Sequence, residues 1–178
     1  MKTAELYYRM MLKRWPDDSG DVQNIHQNVK YGKLVGFNKK NEALFLSNFY
    51  PSTISFEGKL YPTVEHAYQA SKTLNQETRE LIKKSRFPWE AKKLGRSLAL
   101  SDDWINDRLV IMRKLIHEKF ENPFLRCQLL GTDNMELINE NCWNDKFFGV
   151  TAGIGENWLG KILEEVRHYA RVNDNNET

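Results

Sequence analysis

Glu65, Gln69 and Lys72 recur at i, i+4 and i+7, a spacing that sets a carboxylate, an amide and an ammonium on one face of a helix. The helix itself is signalled by "YPTVEHAYQASK", Tyr61 to Lys72. Pro62 biases its predecessor to extended backbone, and Thr63 has the side chain of an N-cap. A carboxylate in the first turn is held ionised by the helix dipole, which suits a base, a nucleophile or a stabiliser of positive charge better than a general acid. The plain alternative is a solvated face with a dipole-favoured glutamate, and spacing alone leaves both readings open. His66 points about 100° away from Glu65 on an ideal helix and reads as a structural histidine.

Val64, Ala67, Tyr68 and Ser71 form a neighbouring stripe that can pack, and the helix is expected to run to about Leu74. A longer helix, "SDDWINDRLVIMRKLIHEKF" with Ser101 as its cap, pairs a packing stripe of Ile105, Leu109, Ile116 and Phe120 with a mixed one. The mixed stripe holds Trp104, Arg108, Met112, Leu115 and Lys119. Its Arg and Lys stems can cover apolar surface, or Trp104 can stack on a planar ring while a nearby cation meets phosphate. "LINENCWNDKFFG" adds Glu140 and Asp145 in an expected loop. The GxG of "TAGIG" does not extend to GxGxxG, and the chain has no GxSxG, P-loop or HExxH motif.

The elements that must position these residues make an α+β fold, helix-rich, with a small antiparallel sheet in a single domain. "YGKLVGF" and "NEALFLSNF" read as extended segments, and "TISFEGKLYPT" as a hairpin turning at Glu57-Gly58. "QETRELIKKS", "PWEAKKLGRSLAL", "PFLRCQLLGT" and "ENWLGKILEEVRHYARV" read as helices, with "MELINEN" and "KFFGV" as short strands or extended loop. Residues 1–30 are expected to form an appended helical extension, 31–172 the main domain, and 173–178 a disordered tail.

The formal net charge of +2, with both signs mixed along 178 residues, lacks the footprint of a dedicated nucleic-acid binder and stays compatible with a small phosphate-bearing ligand. Cys127 and Cys142 show no CxxC or Cys/His ligand spacing, so reduced thiols are expected and no zinc site. Charges interrupt the apolar residues of the first segment, and no apolar run approaches the roughly 20 residues of a membrane span. A soluble, cytoplasmic protein without membrane association is the expectation.

Taken in order, "LSNFYPS", "YPTVEHAYQASK", "AKKLGR", "DDW" ending at Trp104, Lys119-Phe120 and "NWLGKILEEVR" resemble the NADAR, or YbiA-like, family from about Gly36 to Arg167. The resemblance implies a pocket for a ribosyl-containing ligand and hydrolysis of an N-glycosidic bond, with no metal or other cofactor. Some members act on early riboflavin-pathway intermediates, releasing ribose 5-phosphate, and others remove ADP-ribose from modified guanine. The implied partner is therefore a ribosyl phosphate or ADP-ribosyl compound, including ADP-ribosylated DNA or nucleoside. The resemblance sets the family's helix glutamate on Glu65, its tryptophan on Trp104 and its late acidic residue on Asp145, with Phe148 where the family usually has tryptophan. An ionised Glu65 near C1′ fits such chemistry, because breaking the bond builds oxocarbenium character on the ribose. Leaving-group protonation then falls to Asp145, Lys72 or a water. Ser47 and Asn48 are assigned to ribose or phosphate, Arg96, Lys72 and Lys119 to phosphate, Gln69 to the substrate-facing stripe, and Trp104 to stacking. The competing class is a non-catalytic module binding NAD or ADP-ribose.

Overall fold

The computed structural model describes residues 33–37 and 42–176. The appended helix expected over 1–30 lies outside them. In chain order the elements are β1 (Lys33–Val35), a 3-10 turn (Glu42–Leu46), β2 (Ile54–Phe56), β3 (Lys59–Tyr61), α1 (Val64–Ala70), α2 (Gln76–Lys84), α3 (Pro88–Arg96), α4 (Asp102–Phe120), α5 (Pro123–Leu130), β4 (Glu136–Ile138) and α6 (Trp158–Asn176). The helix-rich α+β class therefore holds. The described residues divide into two compact units, one of 48–119 and the other of 33–37, 42–47 and 120–176.

In the first unit, β2 and β3 pair antiparallel, with Ile54 opposite Tyr61 and Phe56 opposite Lys59. The turn works because Glu57 and Gly58 both take positive φ, 46° and 73°, the geometry of a two-residue hairpin loop matched to strand twist. Pro62 and Thr63 then launch α1 as the sequence signals predict: Thr63 is extended, and its hydroxyl accepts the His66 N–H at 3.2 Å. The helix stops earlier than predicted, at Ala70, because Ser71 caps it and the N–H groups of Lys72 and Thr73 fall back to shorter-range bonds with Gln69 and Ala70.

All seven residues of α1 are buried. The core around it includes Ile54, Tyr61, Val64, Ala67, Ile82, Ala91, Met112, Leu115 and Ile116. Each large apolar side chain fully buried there contributes roughly 1.5–3 kcal/mol. On α4 the buried side chains mix the two predicted stripes: Trp104, Met112, Leu115 and Lys119 are buried with Ile116 and Phe120, while Ile105 is exposed. The packing face is thus rotated toward the stripe that carries Trp104.

In the second unit, β1 and β4 form a parallel pair, Lys33 beside Glu136 and Val35 beside Ile138. The strand content is consequently an antiparallel hairpin plus a parallel pair, a pairing between segments about a hundred residues apart that local patterning does not reveal. Within "NEALFLSNF", expected to be extended, Glu42–Leu46 instead forms the 3-10 turn. The helix α6 lays Leu159, Ile162, Leu163 and Val166 into the core, and its Gly160 sits so near the Leu137 carbonyl that a Cβ there would overlap it. The helical backbone of α6 continues to Asn176, into the tail expected to be disordered, since each residue added to an existing helix gains a hydrogen bond without a new nucleation cost.

Candidate active site

The first unit gathers most of the predicted site residues around α1. Glu65 enters the helix with its N–H donated to the Asn48 carbonyl at 3.0 Å, which satisfies one of the donors a helix start leaves open. Its side chain is 5% exposed, and Oε1 accepts a 2.7 Å hydrogen bond from Gln69 Nε2, one turn on. This is not a solvated face: Glu65 and Gln69 lie inside the protein, and Lys72 is half-buried. A carboxylate is kept there at a desolvation cost unless charge and hydrogen bonds compensate.

Compensation comes from Lys72. Its pKa is drawn below the ordinary lysine value by burial, while the Glu65 charge pulls it back up and Lys92 and Arg96 add to the lowering. Those effects place Glu65, Lys92 and Arg96 within electrostatic reach of Lys72. Lys72 Nζ also lies 5.2 Å from the centre of the Trp104 ring and 5.8 Å from that of Tyr68, inside cation–π range. The two rings are tilted partners at 5.4 Å, and Trp104 Nε1 donates to Ser71 Oγ at 3.0 Å.

Asn48 donates from Nδ2 to Met112 Sδ at 3.5 Å, while its Oδ1 is buried without a hydrogen bond to the described residues. A buried amide oxygen in that state can accept from a ligand hydroxyl. Lys119 is 1% exposed, its Nζ 5.7 Å from the centre of the Tyr50 ring, and burial pushes its pKa down to about 7. Arg96 is exposed. Lys92, which sequence reasoning did not single out, places its ammonium 5.6 Å over Phe49. No spacing in "AKKLGR" or "LSNFYPS" signals that contact, which joins residues more than forty positions apart.

His66 is fully buried, with Nδ1 2.8 Å from Thr63 Oγ1 and Nε2 3.2 Å from the Ser85 carbonyl. The carbonyl can only accept, so Nε2 carries the proton and the Thr63 hydroxyl donates to Nδ1. That is the structural role the helix geometry predicts.

Ser47 and Asp145 belong to the second unit. Ser47 is half-buried, its N–H donated to the Leu44 carbonyl at 3.1 Å. Asp145 Oδ1 accepts the N–H groups of Phe147 at 3.2 Å and Phe148 at 2.9 Å, and Asn141 braces the same loop by accepting the Asp145 N–H and donating to its carbonyl. Phe148 packs edge-on against Phe147 at 4.8 Å. Among the described residues no group of three or more His, Cys, Asp or Glu side chains is placed to hold a metal ion, and no helix is long and apolar enough to cross a membrane.

The first unit thus sets a buried helix carboxylate within electrostatic reach of Lys72, which lies near the Tyr68–Trp104 ring pair. Residues 36–171 match the family model of the NADAR domain, and the chain belongs to that family. It is 38% identical to N-glycosidase YbiA of Escherichia coli (strain K12) over 130 residues, 71% of this chain and 81% of that protein. The NMR structure of E. coli YbiA superposes with a TM-score of 0.70 at 33% identity, covering 79% of this chain and 85% of that one. The chain is also 36% identical to riboflavin biosynthesis protein VVA0006 of Vibrio vulnificus (strain YJ016) over 84% of its own length, but spans only 43% of that protein. The similarity to YbiA along most of its length gives the chain the class of an N-glycosidase, a hydrolase of N-glycosyl compounds.

Proposed function

We propose that this protein hydrolyses the C1′–N bond of a phosphoribosyl or ADP-ribosyl compound, with Glu65 as the carboxylate at the anomeric carbon. The observation that carries the proposal is the setting of Glu65: buried, with one oxygen tied to Gln69 and with Lys72 close enough to feel its charge. In the reaction a water oxygen bonds to C1′ as the C1′–N bond breaks, the electron pair leaves on nitrogen, and that nitrogen takes up a proton. Glu65 stabilises the oxocarbenium-like transition state and accepts the proton of the attacking water. Lys72, Lys92, Arg96 and Lys119 supply the positive charge that meets phosphate, Asn48 binds ribose or phosphate, and Trp104 shapes the wall against the leaving base. Lys72 or a water serves the departing nitrogen.

Among substrates, an intermediate of riboflavin synthesis is favoured over ADP-ribosylated guanine. A relative named as a riboflavin biosynthesis protein supports that choice, as does a net charge too small to gather nucleic acid. The protein acts in the cytoplasm on a small molecule. The test is a panel containing the phosphoribosyl intermediates, ADP-ribosylated guanosine and ADP-ribosylated DNA. Ribose 5-phosphate should appear from the first group well above the rate from the others. Release of ADP-ribose alone would move the assignment to modified guanine, and tight ADP-ribose binding without turnover on any of them would make the protein a binding module.

A further inference from the structure

Gly95 stands at the eighth of the nine positions of α3, in its last turn, where glycine still carries a backbone-entropy cost relative to alanine. A reason for it is steric. A Cβ built on Gly95 would come within 2.7 Å of Gln69 Cδ and closer still to its Oε1. The amide of Gln69 therefore rests directly on the bare backbone of α3, and the glycine is buried beneath it. Gln69 itself is 3% exposed, and its Oε1 makes no hydrogen bond to the described residues. What the amide does spend is Nε2, on Glu65 Oε1 at 2.7 Å.

We propose that Gly95 and Gln69 are positioning residues for Glu65: the absent side chain at 95 seats the Gln69 amide, and the seated amide fixes the Glu65 carboxylate through Oε1, leaving Oε2 for the reacting water or ribose. The inference rests on the reading of Glu65 as the catalytic carboxylate. Gln69, expected from its stripe to face substrate, acts in this arrangement through Glu65. A new Cβ at 95 meets the flexible end of Gln69 first and also Gln69 Cβ at 2.9 Å, so Gly95→Ala must swing the amide away and ease α3 slightly from α1. That movement breaks the hydrogen bond to Glu65 while sparing the fold.

The test compares kcat and KM of Gly95→Ala, Gln69→Met, Gln69→Ala, Gly95→Ala/Gln69→Ala and Glu65→Gln on whichever panel substrate turns over. Losing one hydrogen bond to a charged group should lower kcat by roughly tenfold to a hundredfold, with KM changed less than about threefold. Gln69→Met keeps the bulk against Gly95 but not the donor, so it should match Gly95→Ala, and it decides the question if Gly95→Ala does not fold. The double variant should lose less than the product of the two single losses, because with no amide left to displace, a Cβ at 95 meets only the Cβ of residue 69, at 2.9 Å. Wild-type kcat in Gln69→Met, or a double variant whose loss is the product of the single losses, overturns the positioning role. If those variants stay active while Glu65→Gln is dead, only the positioning role falls; if Glu65→Gln is also active, the catalytic reading of Glu65 falls with it.

Discussion

Trp104 Nε1 donates a 3.0 Å hydrogen bond to Ser71 Oγ, which joins the first turn of α4 to the residue that caps α1. The Ser71 hydroxyl in turn donates to the Tyr68 carbonyl at 2.7 Å, so the indole plane is set by the end of the helix that carries Glu65. Trp104→Phe keeps an aromatic wall beside Tyr68 and loses the donor. Its KM should rise about threefold to tenfold with kcat less affected, whereas Trp104→Ala, which also removes the ring beneath Lys72, should cost more. Steady-state kinetics on the three proteins checks the ranking.

Lys119 trades stability for position. Burial lowers its pKa to about 7, so between pH 7 and 10.5 the unfolded chain holds a proton that the folded chain releases. Stability from this residue is thus complete above about pH 10.5 and is lost as pH falls toward 7. Lys119→Met should raise Tm at neutral pH, by roughly 2–4 °C for each kcal/mol recovered, and the advantage should shrink as pH rises toward 10. The same variant should weaken binding of phosphate-bearing substrate. Thermal melts across pH, paired with KM, check both halves.

His66 titrates out of range in the folded state, its pKa lowered to about 4 by burial against an opposing hydrogen bond to the Ser85 carbonyl. The unfolded chain binds the proton first, so the stability this histidine supports is full above pH 6.5 and lost as pH falls to about 4. The loss is on the order of 3 kcal/mol. Melts of the wild type over that interval should show the decline, and His66→Gln, though less stable at pH 7, should lack this component of the slope.

The hairpin, the cap at Thr63 and the orientation of His66 were legible because each depends on neighbours in sequence. Glu65 was harder. Its spacing with Gln69 and Lys72 is that of a solvated face, and only packing by α2, α3 and the β2–β3 hairpin, which spacing within α1 does not record, buries Glu65 and Gln69. The same holds for Lys92, whose ring partner Phe49 is more than forty residues away. On α4 the apolar pattern admitted two neighbouring faces, and the aromatic contact of Trp104 with Tyr68 selected one that spacing did not rank. The parallel pairing of β1 with β4 and the 3-10 turn at Glu42–Leu46 depend on contacts across the chain, which short strand-like runs do not record.

The central claim is that Glu65 drives cleavage of an N-glycosidic bond, and the direct measurement is kcat for ribose 5-phosphate release by wild type and Glu65→Gln. The amide is nearly isosteric and should leave Tm within a few degrees. The expected result is a fall in kcat of roughly a hundredfold to ten-thousandfold in a folded protein, the range for losing a positioned base or charge stabiliser. Equal rates in the two proteins would contradict it.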